Sequence, residues 1–417
     1  MDIKNEQRRQ PGHRRFLKMD KPLSNYRILD FTQFLSGPYC TMLLGDLGAE
    51  VIKVEKPGDG EVYRTYGPKF INGVSSSFIG VNRNKKSIAL NLKSEEAINI
   101  IKRLVQNVDI VVENFKAGTM NKLGLGYEEL KKYNESLIYC SISGFGQTGP
   151  YKNRGGFDLI VQGMSGIMSV TGEADGPPVK VGFPIADMGA SVYAAVAVLS
   201  SIIHREKTGQ GQFLDVSMLE ASLAWATLPV ANYYADGEVP SRLGSASPQN
   251  APYQAFKTID GYINVGTGNQ HLWEKLCKLL NVEYLIQDKR FTENALRVKN
   301  QFELAAILDK EFEKKESQHW ITVLNDAGIP TGPILDLKEA LEDPQVVERN
   351  VVLKVNHPVA GEVKMMGLPF KSSELDFGQA VSPPLLGEDT VAVLSALGGY
   401  SKDEIDVYKK AGVIGGA

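Results

Sequence analysis

The residues able to do chemistry are few and unevenly placed. The five histidines are His13, His204, His271, His319 and His357, so nothing between His13 and His204 offers an imidazole for acid–base work. No GxSxG elbow is present for a Ser-His-Asp triad. The three cysteines, Cys40, Cys140 and Cys277, lie a hundred or more residues apart, with no CxxC or Cys/His cluster. That spacing argues against a zinc site and a disulfide framework, and it fits a reducing, cytosolic setting. Catalysis in the first half of the chain is left to carboxylates, hydroxyls, lysines and backbone N–H groups. Asp158 stands out among them, in Gly155-Gly-Phe-Asp158-Leu-Ile-Val-Gln162, where a glycine-rich loop meets an apolar helical stretch. Two readings are open there. An aspartate in that place can simply cap a helix; a carboxylate can also act as a nucleophile, forming an anhydride or acyl intermediate.

A second motif points the wrong way. Gly144-Phe-Gly146-Gln-Thr-Gly149 matches GxGxxG after an expected strand, but Pro150–Gly156 continues the loop. A dinucleotide fingerprint needs a helix N-terminus directly after its glycines. The first strand-to-helix loop, Phe31–Gly37, has no glycine triplet either. A nicotinamide site is therefore not expected.

The elements that must hold these groups read as an α/β chain. Tyr26–Asp30 and Glu50–Glu55 (EVIKVE) are expected strands flanking a helix opened by Pro38 and stopped at Gly48, a βαβ unit. Ser87–Leu92, Val108–Val112 and Leu137–Ile142 read as further strands buried on both faces. Ser94 precedes a helix whose apolar residues, Ala97, Ile98, Ile101, Leu104 and Val105, recur at three-four spacing. The sum is a Rossmann-like, open, mostly parallel sheet with helices on both sides. Residues 158–228 look mainly helical. The apolar run Met188–Ile203 is short for a membrane span and long enough for a buried helix. Tyr253–Lys257 and Tyr262–Val265, joined through Asp260-Gly261, form an expected hairpin, and Val351–Met366 another. We divide the chain into a polar, disordered tail at 1–20 (with Met19 an alternative start), a large domain at 21–228, a small α+β domain at 229–330 and a C-terminal return at 331–417.

The composition is ordinary for a soluble chain: 417 residues, 43% hydrophobic, 23% charged. Lys+Arg 46 against Asp+Glu 49 leave a net charge of −3, so nothing calls for a nucleic-acid or anionic-membrane partner. The 41 glycines are an excess of the kind that marks tight turns and close approach to a ligand.

Eight blocks in order give the chain a family resemblance. They are Ile28-Leu-Asp-Phe-Thr32, Gly48-Ala-Glu-Val-Ile-Lys-Val-Glu-Lys-Pro-Gly58, Asn82-Arg-Asn-Lys-Lys-Ser87, Val112-Glu-Asn-Phe115, Leu123-Gly-Leu-Gly-Tyr127, Ser143-Gly-Phe-Gly-Gln-Thr-Gly-Pro150, Gly156-Phe-Asp158 and Lys207-Thr-Gly-Gln-Gly211. From about Pro22 to Ile414 the sequence resembles the class III CoA-transferases of the CaiB/BaiF family. Within it, Asn82–Ser87 and Tyr253–Thr258 with Asp260–Ile263 most resemble the succinate–hydroxymethylglutarate (glutarate) enzymes.

The resemblance implies that Asp158 is the catalytic aspartate, passing CoA from a dicarboxylyl-CoA such as succinyl-CoA to a free carboxylic acid through aspartyl anhydride and aspartyl-CoA thioester intermediates. A carboxylate is ionised at neutral pH without help, and backbone N–H groups can stabilise each oxyanion without a metal or redox cofactor. The resemblance further implies CoA contacts from Lys56, Leu90, Asn91, Leu92, Lys93, Asn114, Phe115, Lys116 and Lys122. Gly266, Thr267 and Gly268 match the family's mobile glycine loop over the active site. Lys116-Ala117 replaces the usual Arg-Pro, which loses bidentate phosphate contact there. An interlocked homodimer is implied as well. Two competing readings are a racemase of the same fold, whose histidine should precede Asp158 and is missing, and a catalytically silent CoA-binding protein.

Overall fold

In a computed structural model the structure describes residues 21–416, and the expected disordered tail lies outside them. Among the described residues the fourteen strands are β1 Arg27–Asp30, β2 Glu50–Glu55, β3 Phe70–Ile71, β4 Val74–Ser75, β5 Lys85–Leu90, β6 Ile110–Glu113, β7 Ile138–Ser143, β8 Gln212–Ser217, β9 Tyr253–Lys257, β10 Tyr262–Gly266, β11 Thr331–Pro333, β12 Val352–His357, β13 Gly361–Met366 and β14 Ile414–Gly415. Seven make one sheet in the order β14-β5-β2-β1-β6-β7-β8. The five strands from β5 to β7 pair in parallel, and β14 is antiparallel to β5. From β1 the chain moves outward to β2 and β5 on one side, then returns to β6 and β7 on the other. The strand order therefore reverses beside β1, the place where open α/β sheets bind ligands at their carboxyl edge.

Among the described residues two compact units emerge, one from residues 21–147, 191–216 and 353–416 and the other from 148–190 and 217–352. The stretch 148–190, expected within the large domain, thus clusters with the second unit. The first unit's core packs Leu29, Ile52, Ile88 and Val111 of the sheet against the helix Glu95–Val105. Ser94 caps that helix by accepting the Ala97 N–H, as its sequence predicts. The second unit has its own core around Trp273, Phe256, Phe291 and Phe312, beneath the antiparallel sheet β11-β10-β9.

Three local expectations shift. The first helix begins at Ser36, so Pro38 lies within its first turn, where its missing N–H goes unused anyway. β8 interrupts the expected helical region. Gly211 makes this possible: a Cβ there would lie 2.1 Å from the Leu137 carbonyl oxygen, so only glycine allows this approach beside β7. The run expected to be a sixteen-residue helix extends to Ile185–Thr208, 24 residues, gaining residues 185–187 at its start and 204–208 at its end. That helix is long and apolar enough to cross a bilayer, but half of its most apolar window is buried in protein. Ala186, Ala190, Ala194, Val198 and Ile202 form its buried stripe at four-residue spacing.

Candidate active site

In the first unit, the loops expected to meet CoA leave one edge of the sheet because their strands run in parallel. Lys56 follows β2, Asn91–Lys93 follow β5, and Asn114–Lys116 follow β6 beside the strand-order reversal. Lys122 ends the short helix Thr119–Lys122. Lys56, Lys93, Lys116 and Lys122 are all exposed. Asn114 is fixed at the reversal. Its side chain accepts the Gln33 N–H at 2.8 Å and donates to the Gln33 carbonyl at 2.7 Å and to Ser36 Oγ at 3.2 Å. Phe115 packs half-buried against the core. Leu90 is wholly buried, so its side chain faces the core and offers a ligand nothing.

Beneath this edge lies a buried ionic network. Asp30 on β1 accepts Lys85 Nζ at 2.9 Å and the Thr41 hydroxyl at 2.8 Å, both lysine and aspartate being fully buried. Burial alone would raise the Asp30 carboxyl, but Lys85 and Lys53 outweigh it and hold the group down to about 2. Arg64 grips Glu55 bidentately at 2.6 and 2.7 Å, which pins the chain on either side of Lys56. Arg83 pairs with Asp46 in the same way, at 2.8 and 2.5 Å. The block Asn82–Ser87 therefore works inside the fold, through Arg83, Lys85 and the Ser87 hydroxyl on Glu55 at 2.6 Å.

In the second unit, Asp158 occupies the first turn of the helix Asp158–Met164, and Phe157 is the capping position. Its carboxylate does not cap its own helix. One oxygen accepts the Ala186 N–H at 2.9 Å, in the first turn of the helix Ile185–Thr208, and the other accepts Gln162 Nε2 at 2.6 Å. Gln162 is buried and oriented in turn by the Val181 N–H, which donates to its Oε1 at 2.9 Å. The half-buried carboxylate is thus aimed by two donors while each oxygen keeps a further lone pair.

Two residues of the glycine loop are tied to neighbouring carbonyls. The Gly266 N–H donates to the Pro330 carbonyl at 3.0 Å; the Thr267 N–H and hydroxyl both donate to the Pro252 carbonyl, at 3.0 and 2.9 Å. Those two N–H groups are already committed. Gly268 has open space where a Cβ would be, and Asn269 caps the next helix through the Leu272 N–H. A cleft of about 430 Å³ opens beside Gly266, lined by Tyr253, Asn264 and Thr331 among others.

Sequence reasoning missed Glu113, the buried last residue of β6, and Gln147 in the loop after β7. The available signal was a charged residue closing an apolar strand, and a loop leaving the same sheet edge as the others.

The family model for CoA-transferase family III matches residues 23–390. The succinyl-CoA:glutarate CoA-transferase of Mus musculus is 42% identical over 394 residues, 94% of this chain and 90% of that protein. The acetyl-CoA:oxalate CoA-transferase of Acetobacter aceti is 42% identical over 356 residues, 85% of this chain and 90% of that one. A crystal structure of a CaiB/BaiF family protein from Brucella suis matches with a TM-score of 0.81 at 37% identity, over 91% of this chain and 100% of that chain. The chain belongs to CoA-transferase family III and is a CoA-transferase.

Proposed function

We propose that this family III CoA-transferase takes CoA from a dicarboxylyl-CoA, succinyl-CoA foremost, and delivers it to a free carboxylic acid with Asp158 as the covalent carrier. The observation that carries the reading is the Asp158 carboxylate, aimed by Gln162 and the Ala186 N–H without being used up by them. An Asp158 oxygen attacks the thioester carbonyl carbon, the C–S bond breaks, and CoA leaves as thiolate beside a mixed anhydride. The thiolate attacks the Asp158 carbonyl carbon; the anhydride C–O bond breaks and the donor acid departs as carboxylate. The acceptor carboxylate then attacks the aspartyl-CoA thioester and expels thiolate. Thiolate attack on the acceptor's acyl carbon completes the exchange and frees Asp158. Each tetrahedral stage carries an oxyanion, for which the Gly268 N–H is the loop's candidate donor.

For CoA itself, Lys56, Lys93, Lys116 and Lys122 would serve the phosphates as point charges and Phe115 would cover the purine. Their common sheet edge beside the strand-order reversal supports this. No metal or redox cofactor is given a step. A homodimer, interlocked as the family resemblance implies, is part of the same proposal. It is supported by apolar side chains left exposed, such as Val196 and Ile203 on the long helix and, in the second unit, Phe183, Leu228 and Tyr234. We place the enzyme in the cytoplasm, in keeping with three buried, unpaired cysteines.

The test is thioester exchange across a panel of acyl-CoA donors and free acids. Succinyl-CoA or glutaryl-CoA should serve as donor with a second dicarboxylate as acceptor. The Acetobacter aceti relative favours a second reading, acetyl-CoA with oxalate, which the same panel distinguishes. Selective use of long-chain or branched monocarboxylates, with no dicarboxylate turnover, would overturn the substrate assignment.

A further inference from the structure

Glu113 ends β6 on the sheet face shared by Val111, Tyr139 and Ser141, since the β6–β7 register sets Val111 beside Tyr139 and Glu113 beside Ser141. It is 5% exposed, at the wall of a cavity of about 310 Å³ that Tyr127, Tyr139 and Phe213 also line. Its carboxylate joins two loops. One oxygen accepts the Phe115 N–H at 2.8 Å, and the other accepts the Ser141 hydroxyl. Ser141 Oγ in turn accepts Gln147 Nε2 at 2.8 Å, and the Gln147 N–H donates to Asp215 at 2.9 Å. One chain of bonds thus runs from the Asn114–Lys116 loop, through Glu113 and Ser141, to the loop after β7 and on to β8. The opposite side of the same loop is held by Asn114 to Gln33 and Ser36.

We propose that Glu113 is a positioning residue for the acyl-CoA substrate: as a carboxylate it latches the Asn114–Lys116 loop in its binding geometry, and protonation loosens that latch and weakens CoA binding. The proposal rests on reading that loop as a CoA contact. An ionised acceptor holds a backbone N–H more strongly than a neutral one. Once protonated toward Ser141, the acid becomes a donor there, the serine hydroxyl must turn away, and Phe115 loses its charged partner. The titratable groups around Glu113 are Asp215 on β8, Tyr127 and Glu128 across the cavity, and Tyr139 and Cys140 on β7. Burial, with a smaller contribution from Asp215, pushes the Glu113 carboxyl up to about 7, against the pull of Ser141 and the Phe115 N–H. The latch therefore changes state within the range of ordinary assays.

Glu113→Gln keeps the shape and imitates the neutral form at every pH. KM for acyl-CoA and kcat, together with calorimetric binding of CoA alone, would be followed from one unit below to one unit above pH 7. In the wild type, KM should rise about five- to tenfold as pH falls through the midpoint, with kcat steady. The Gln variant should show the raised KM throughout and lack that inflection. CoA's own phosphate titrates near pH 6 in both proteins, so only the difference between them counts. Ser141→Ala, which breaks the second bond and keeps the charge, should raise KM while preserving a pH dependence. Parallel pH profiles for wild type and Glu113→Gln would overturn the proposal. So would a CoA affinity of the wild type that is flat across the range. Absence of CoA binding by the wild type at any pH would instead tell against the functional reading.

Discussion

Asp158 does two jobs that one substitution separates. Asp158→Asn would aim an amide NH2 at either the Ala186 N–H or Gln162 Nε2, and both are donors. Gln162 cannot turn over without dropping the Val181 N–H. Folding should therefore weaken by roughly 1–3 kcal/mol, the cost of a mismatched buried polar pair, while the fold and CoA binding survive. Exchange should fall by orders of magnitude, because the anionic nucleophile is gone. Mass spectrometry of wild-type protein held with acyl-CoA should find a CoA adduct on the Asp158 peptide. Near-normal turnover by the Asn variant would leave Asp158 a structural tie only. Asp30 makes a different prediction. Its folded carboxyl is depressed, so it contributes stability that is fully present above the unfolded value near 4 and is lost as pH falls toward 2, about 2 kcal/mol in all. Lys85→Met, leaving that buried charge short of its partner, should cost roughly 3–5 kcal/mol in a denaturant titration at neutral pH.

Elements respond to backbone approach more than to side-chain chemistry. Gly211→Ala would set a Cβ against the Leu137 carbonyl beside β7, so β8 must shift, at a cost of roughly 1–3 kcal/mol read as a lowered melting temperature. A variant as stable as the wild type would mean that β8 gives way freely. The same contrast explains what the sequence disclosed. EVIKVE stood out as β2 to the residue, and Ser94 as a helix cap, because local pattern and final structure agree. β8 escaped notice because Gln212–Ser217 lies between apolar helices and only Gly211 betrays its approach to Leu137. The lysines along the sheet edge carry no local mark, since an exposed lysine after a strand looks like any other, and only the family resemblance singles them out. Glu113 left only the faint mark of a charge closing an apolar strand, because its partner Ser141 lies 28 residues away and nothing local announces the bond.

At the scale of the molecule, the exposed apolar side chains predict a partner. Light scattering at assay concentrations should give twice the mass of a single 45.7 kDa chain, and a monodisperse monomer with full activity would refute the dimer. The first unit also has an unusual dependence on chain order. Its sheet is bordered by β14, at Ile414–Gly415, which lies against β5 at Ala89–Leu90. During synthesis, β5 emerges more than three hundred residues before the strand that will cover it. Until the ribosome has passed Gly415, that flank of the sheet is an open template for other strands, and nascent chains stalled upstream should be clients for chaperones that shield β edges.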